Sequence, residues 1–332
     1  MTDRRVAYGW SDHWAGLSGG ARCGRVVSEH RGFFDLVGAD GELLATVSGR
    51  LLHEADDARD LPAVGDWVLH SELDDEGRVR VDAVLPRRTA VVRRAAGLDA
   101  EPQVVAANVD VVLIVSSLDR DLNPRRLERY LAVVGASRAR PVIVLTKLDR
   151  CDDPEPMLAA VRRVASDVEV LLTSNLTGAG LDDVARLAPV GTTVALLGSS
   201  GVGKSTMVNA LVGDDVLDTG DIRADGKGRH TTTRRELIPI PGGGVLLDTP
   251  GMRELQLWDE ASLGDAFPEI DEAAASCRFA DCEHRSEPGC AVRAAVEAGE
   301  ISAVRFASWQ RLHDELTALA EEQELRRRRR RR

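Results

Sequence analysis

Residues Gly198 to Thr206 read Gly-Ser-Ser-Gly-Val-Gly-Lys-Ser-Thr, types and spacing suited to holding the phosphates of a nucleotide. In a G-x-x-x-x-G-K-S loop the backbone N–H groups of Gly198, Ser199, Ser200, Gly201, Val202 and Gly203 wrap the anion. Lys204 reaches the terminal phosphates and the Ser205 hydroxyl ligates magnesium. The flanks supply the right elements: Gly191 to Leu197 reads as a short buried strand and Thr206 to Val212 as the opening of a helix. A strand-to-helix turn puts the loop at the positive end of the helix dipole.

The phosphate loop identifies a nucleoside triphosphate, and the base must be read elsewhere. Thr146-Lys147-Leu148-Asp149 follows the apolar run Pro141 to Leu145, at the C-terminal end of a predicted parallel strand, where α/β folds place ligands. The Asp149 carboxylate can accept from the N1–H and exocyclic amine of guanine, which adenine does not offer, and the Lys147 stem can lie along the base. Such a tetrapeptide arises often by chance. What raises it is a second loop, Thr173-Ser174-Asn175-Leu-Thr-Gly178, after another apolar run at Val168 to Leu172. A small-residue loop there offers backbone N–H groups to the guanine O6.

Further on, Val245 to Leu247 leads into Asp248-Thr-Pro-Gly251. A carboxylate at a strand end beside the phosphate loop is placed to hold magnesium through water, and the Gly251 N–H to meet the γ-phosphate. Between the two, Thr219 to Arg235 has no hydrophobic periodicity and reads as a switch segment. One of Thr231, Thr232 or Thr233, with Thr232 the first choice, can reach the metal, and His230 can align the attacking water or meet a partner RNA. The base-reading motif precedes the phosphate loop, the reverse of the ordinary GTPase order. The nucleotide domain is therefore expected to be circularly permuted, with its switch region feeding directly into the C-terminal part.

Cys277-x4-Cys282-x-His284-x5-Cys290 places four soft or borderline ligands within fourteen residues, a set that suits tetrahedral zinc with no open coordination position. The site would be structural. The chain has five cysteines, an odd number, and no sign of a secretory leader, so a disulfide framework is a poor reading.

These motifs in this order resemble the family of ribosome small subunit-dependent GTPase A, RsgA. The resemblance covers nearly the whole chain and includes Pro62-Ala-Val-Gly-Asp-Trp67, Ala107-Asn-Val-Asp110, Gly226-Lys-Gly-Arg-His-Thr-Thr-Thr233 and the cysteine and histidine pattern. It implies GTP and GDP as ligands with magnesium, one structural zinc, and the small ribosomal subunit with its rRNA as partner. The family usually has Asn where this chain has Thr146, which implies weaker nucleotide binding. Met252 stands where many GTPases carry the glutamine that orients water, and a thioether cannot do so, which implies slow intrinsic hydrolysis accelerated by a partner.

At 332 residues with 43% hydrophobic content, two or three domains with substantial cores are expected. Short alternating segments at Gly24–Val27, Gly32–Val37, Leu43–Val47, Asp66–Leu69 and Arg78–Val81 suit a small closed barrel of the OB type, an assignment the family resemblance supports further. The expected architecture is an α/β multidomain chain: an OB-type β-barrel over 1–96, a circularly permuted P-loop GTPase domain over 97–252, a zinc-binding helical domain over 253–325 and a disordered arginine tail over 326–332. The helical domain should include a run from Ser302 to Leu325, with apolar residues at Val304, Trp309, Leu312, Leu316 and Leu319 packing on their own domain.

Charge complicates the RNA partner. Residues 1–96 carry 13 basic against 16 acidic side chains, 97–252 carry 17 against 21, and 253–332 carry 13 against 17, so no domain is net basic. RNA affinity would rest on local clusters: Arg87, Arg88, Arg93 and Arg94; Arg223, Lys227, Arg229, Arg234 and Arg235; and the arginines from 326 to 332. No stretch approaches the roughly 18 apolar residues of a membrane span, and a cytoplasmic monomer is expected. Two other function classes compete. A metabolic phosphotransferase would need an acceptor site that the sequence does not display. A GTP-gated RNA- or protein-binding module with little hydrolysis of its own is opposed by intact Lys204, Ser205 and Asp248.

Overall fold

The computed structural model describes residues 3–30, 32–94, 102–119, 122–213, 236–248, 263, 264 and 266–330. After a 3-10 turn at Arg4–Tyr8 and helix α1 (Asp12–Ser18), five strands follow: β1 (Cys23–His30), β2 (Phe33–Val37), β3 (Glu42–Val47), β4 (Trp67–His70) and β5 (Arg78–Val84), with α2 (Gly49–Glu54) after β3. β1 pairs with β2, β2 with β3, β3 with β5 in parallel, β5 with β4, and β4 returns to β1. The barrel therefore closes with no free edge and with the strand order of the OB type. Alternation fills it: Val26, Leu36, Ala45, Val68, Val79 and Val81 point inward and are fully buried or nearly so.

Two polar groups lock the barrel. Asp66 has no exposed surface and meets Arg87 through two bonds, Nε to Oδ1 at 2.8 Å and Nη2 to Oδ2 at 2.6 Å, while accepting from the Ala63 N–H at 2.8 Å. Burial raises the Asp66 carboxyl above its usual range, and Arg87 opposes that shift. Arg87 was expected in an RNA-facing cluster. It is instead committed inward, since its remaining donors reach the Leu61 and Arg59 carbonyls.

β6 (Ala90–Arg94) and β7 (Pro102–Ala107) pair as an antiparallel ribbon, so the division drawn at residue 96 falls between two strands that belong together. Two stretches singled out in the sequence meet here. A Cβ on Gly65, whose φ is +98°, would lie 2.1 Å from the Ala107 carbonyl, and Asn108 donates to the Gly65 carbonyl at 3.1 Å.

The second unit is a doubly wound sheet of β8 (Val111–Ser117), β9 (Arg140–Thr146), β10 (Glu169–Leu172), β11 (Thr193–Leu197), β12 (Glu236–Pro239) and β13 (Val245–Asp248). Its order is β10-β9-β8-β11-β13-β12, parallel throughout except for β12. Helices α3 (Pro124–Ala136), α4 (Glu155–Val164), α5 (Leu181–Arg186) and α6 (Lys204–Val212) connect the strands. β8, β9 and β11 are almost wholly apolar and buried, as strands covered on both faces must be. Chain order reverses between β8 and β11, and the crevice beyond their C-terminal ends is where such sheets bind ligands. β12 also pairs with barrel strand β1 through Ser28 and Glu236, so one continuous sheet runs from barrel to nucleotide domain.

Helices α7 (Pro268–Ala274), α8 (Ala291–Ala298) and α9 (Ala303–Arg330) form the C-terminal region. Leu312 is buried and Trp309 and Leu316 pack with it, whereas Val304 is exposed. The helix also docks on α3: Arg311 pairs with Glu128 at 2.7 Å, Arg129 with Glu315 at 2.8 Å, and Ser308 donates to Glu128 at 3.0 Å. α9 continues through Arg330, where a disordered tail was expected from residue 326. Arginine is a good helix former, and extending a nucleated helix costs far less than starting one. No helix among the described residues is long and apolar enough to cross a membrane.

Candidate nucleotide site and metal centre

The phosphate loop lies between β11 and α6, at the crevice expected from the topology. Gly198 has φ +155°, and a Cβ there would sit 2.2 Å from the Val115 carbonyl of the neighbouring strand. No other residue fits that turn. Gly203, at φ +100°, ends the loop, and Lys204, Ser205 and Thr206 form the first turn of α6 with Ser205 and Thr206 exposed. The Lys204 Nζ bonds to the Gly198 carbonyl at 2.6 Å and also to that of Ser199. The cation thus sits over the mouth of its own loop, beside the N–H groups that would cradle phosphate.

Both loops expected to read the base reach the phosphate loop directly. Thr146 ends β9 with no exposed surface, and its hydroxyl donates to the Val202 carbonyl at 2.6 Å. Lys147 takes a left-handed φ of 62°, which turns the chain outward, and its Nζ pairs with Asp119 at 2.7 Å. Asp119 in turn accepts from the Ser117 hydroxyl at 2.6 Å. Leu148 begins a single 3-10 turn, and its N–H bonds to the Thr173 carbonyl at 3.0 Å, tying the two loops together. Asp149 accepts from the Ser174 hydroxyl, and the Asn175 Nδ2 donates to the Gly203 carbonyl at 2.9 Å. Thr146, Lys147, Leu148, Asp149, Ser174, Asn175 and the phosphate loop are therefore one constellation.

Asp119 is the member that the sequence reading missed. Its signal was available: it follows an apolar strand at the same sheet edge as the other loops. Asp248 ends β13, two strand positions from the phosphate-loop strand's far neighbour β8, with its backbone opposite Glu236. His230, Thr232, Gly251 and Met252 lie outside the described residues, as do Arg223, Lys227, Arg229, Arg234 and Arg235.

The second centre is built within a few turns of chain. Ligand atoms of Cys277, Cys282, His284 and Cys290 all lie within 4.8 Å of one another. The His284 Nδ1 is 3.6 Å from the Cys277 sulfur and 3.4 Å from the Cys290 sulfur, and those two sulfurs are 4.0 Å apart. Zinc bonds of about 2.3 Å to sulfur and about 2.0 Å to nitrogen imply tetrahedral edges of roughly 3.5–3.8 Å, so donors and spacing both fit that ion. Burial keeps the His284 ring below its ordinary value and hence neutral, as a ligand must be. Cys290 caps the N-terminus of α8, accepting from the Arg293 N–H, while Cys277 accepts from that of Ala291. Burial opposes the Cys277 thiolate, yet the Val292 and Ala291 N–H groups and the neighbouring thiols leave its thiol below the usual value. Trp309 of α9 lies against His284 with ring centres 5.3 Å apart, linking the centre to the helix that docks on α3.

A family model described as RsgA GTPase matches residues 84–258. A protein of Opitutus terrae named small ribosomal subunit biogenesis GTPase RsgA is 49% identical over 324 residues, covering 92% of this chain and 88% of that protein. One of Lactiplantibacillus plantarum, small ribosomal subunit biogenesis GTPase RsgA 2, is 46% identical over 89% of this chain and 83% of its own length. Among solved structures, YjeQ from Thermotoga maritima superposes with a TM-score of 0.64 at 25% identity, over 89% of this chain and 98% of that one. YloQ, described as a circularly permuted GTPase, gives 0.61 at 25% identity, over 89% and 95%. With its phosphate loop following its base-reading loops and its sequence aligned along most of its length, this chain belongs to the RsgA GTPase family.

Proposed function

We propose that the chain binds GTP at the phosphate loop and hydrolyses it to GDP and phosphate during maturation of the small ribosomal subunit, hydrolysis serving to release the factor. The observation that carries this reading is the side-chain bonding of both base-reading loops to the phosphate loop, Thr146 to Val202 and Asn175 to Gly203. A site that joins base and phosphate recognition so closely is built for a whole nucleotide. The names of the relatives supply the ribosomal partner.

In this reading the N–H groups from Gly198 to Gly203 and the α6 terminus hold the phosphates, and Lys204 leaves the loop carbonyls to meet them. Ser205 and Asp248 would hold magnesium, whose charge would offset that of the phosphate oxygens. Asp149 selects guanine, and Lys147 covers the base. Hydrolysis is slow without the ribosomal subunit, because Met252 cannot align water; His230, Thr232 and Gly251 act in the stimulated reaction. Zinc at Cys277, Cys282, His284 and Cys290 staples the C-terminal region. rRNA contacts fall to exposed basic side chains such as Arg88, and the protein acts as a cytoplasmic monomer.

Steady-state GTP hydrolysis with and without purified small subunits tests the proposal, with ATP and the Lys204→Ala variant as controls. A large, GTP-specific rise is expected. GTP binding without any rise would move the partner away from the ribosome and favour a nucleotide-gated binding module.

A further inference from the structure

Thr146, Asn175 and Gly203 meet in one corner of the site. A Cβ built on Gly203 would lie 2.8 Å from the Asn175 Nδ2 and 3.8 Å from the Thr146 hydroxyl. The proton inventory of that corner is informative. Thr146 has one hydroxyl proton, and it goes to the Val202 carbonyl. The Ser174 hydroxyl proton goes to Asp149, and the Lys147 ammonium is drawn aside to Asp119. Asn175 carries two amide protons, and one is used on Gly203. Its Oδ1 is buried with no hydrogen-bond partner. The second Nδ2 proton is the donor that remains in this corner.

Guanine presents two acceptors, N7 and O6, along its Hoogsteen edge. Thr146 has no proton left to give them. Resting on the reading that these loops hold guanine, we propose that Asn175 is the side-chain reader of the purine N7 and at the same time the strut that positions the phosphate loop. One Nδ2 proton stays on Gly203 and the second is donated to N7. The amide that the family pattern leads one to expect at position 146 is thereby supplied from position 175, one loop later. Because both purines carry N7, Asn175 adds affinity, and the choice of guanine over adenine stays with Asp149.

The test compares GDP with 7-deaza-GDP, which replaces the N7 acceptor by a carbon and alters nothing else in hydrogen bonding. The wild-type protein is expected to bind the deaza nucleotide about 3- to 10-fold more weakly, the worth of one such bond. Asn175→Ala, which also removes the Gly203 contact, should weaken GDP binding by at least that factor and no longer distinguish the two. Asn175→Asp, equal in shape but without amide protons and with a carboxylate facing the Gly203 carbonyl, should bind GDP more weakly still and likewise lose the distinction. Equal affinity of the wild-type protein for both nucleotides would overturn the inference, and so would either variant retaining the N7 preference. A residue of merely structural importance would weaken both nucleotides and leave their ratio unchanged. Asp149→Asn separates the underlying reading from the inference. It should exchange guanine for xanthine preference, since Asn offers a proton to the xanthine 2-oxygen. If it does not, the base site has been misplaced and both fall; if it does, the deaza comparison judges Asn175 alone.

Discussion

The nucleotide site and the cysteine–histidine centre are assembled in opposite ways. The first gathers residues from Ser117 to Ser205, carried on the ends of β8, β9, β10 and β11, and the described fold already joins them by hydrogen bonds before any ligand arrives. The second gathers four ligands within fourteen residues and has only sulfur and imidazole facing one another at its centre. A sheet positions the first, and its ligand completes it; an ion must cohere the second. Preorganisation is a property of the scaffold in one case and of the metal in the other.

Removing the metal is the harshest way to break the comparison. Zinc chelation, or Cys290→Ser, should cost the C-terminal centre on the order of 10 kcal/mol of apparent binding energy. Hydrogen exchange over 277–298 should rise sharply and Trp309 fluorescence should shift, while GDP affinity stays within about two-fold because the two sites are built on separate elements. A collapse of GDP binding would mean that the two centres are one unit. Next in size, Lys204→Ala should reduce turnover by about 10²- to 10³-fold, roughly 3–4 kcal/mol of transition-state stabilisation, with thermal stability little changed. Thr146→Val keeps shape but loses the bond to Val202, so GDP dissociation should quicken by a factor matching about 1–2 kcal/mol. An unaltered off-rate would show that the β9 terminus does not brace the loop.

The smallest expected effect concerns pH. Burial lowers the His284 value below 6.5, so the stability owed to its neutral ring is complete above that pH and is lost as pH falls through the lower folded value. In metal-free protein, the His284 contribution to melting of the C-terminal region should be flat from pH 8 to about 6.5 and decline only below it. Nucleotide affinity should not follow that profile.

Much of this was legible in the sequence wherever chemistry is local. The phosphate loop, TKLD, Thr173–Gly178 and the cysteine and histidine pattern each occupy a few consecutive residues, and backbone conformation at such spacing is largely self-determined. All five barrel strands were visible too, because a closed barrel imposes strict alternation. What stayed hidden depends on partners far away in sequence. Asp119 acquires its role only when β8 lies beside β9. Arg87 looked like a surface charge until Asp66 was seen beneath it. The loop holding Asn175 was read for its backbone N–H groups, yet the Asn175 side chain touches Gly203 across 28 positions of sequence.

Arg25 carries one further consequence. Fully buried in the barrel wall, its guanidinium bonds to the Gly65 carbonyl, the Tyr8 carbonyl, the Asn108 carbonyl and, at 2.7 Å, the Thr193 hydroxyl on β11. Burial draws it down to about 10, still charged at neutral pH, with Asp110 and Asp66 helping to hold the proton. Thr193 lies 168 positions further along the chain. During synthesis the barrel's residues emerge from the ribosome long before the strand that completes this cation's shell. The first domain to be made therefore waits on the second for its last internal contacts, and truncated chains ending before β11 should yield a loosened barrel rather than an independent one.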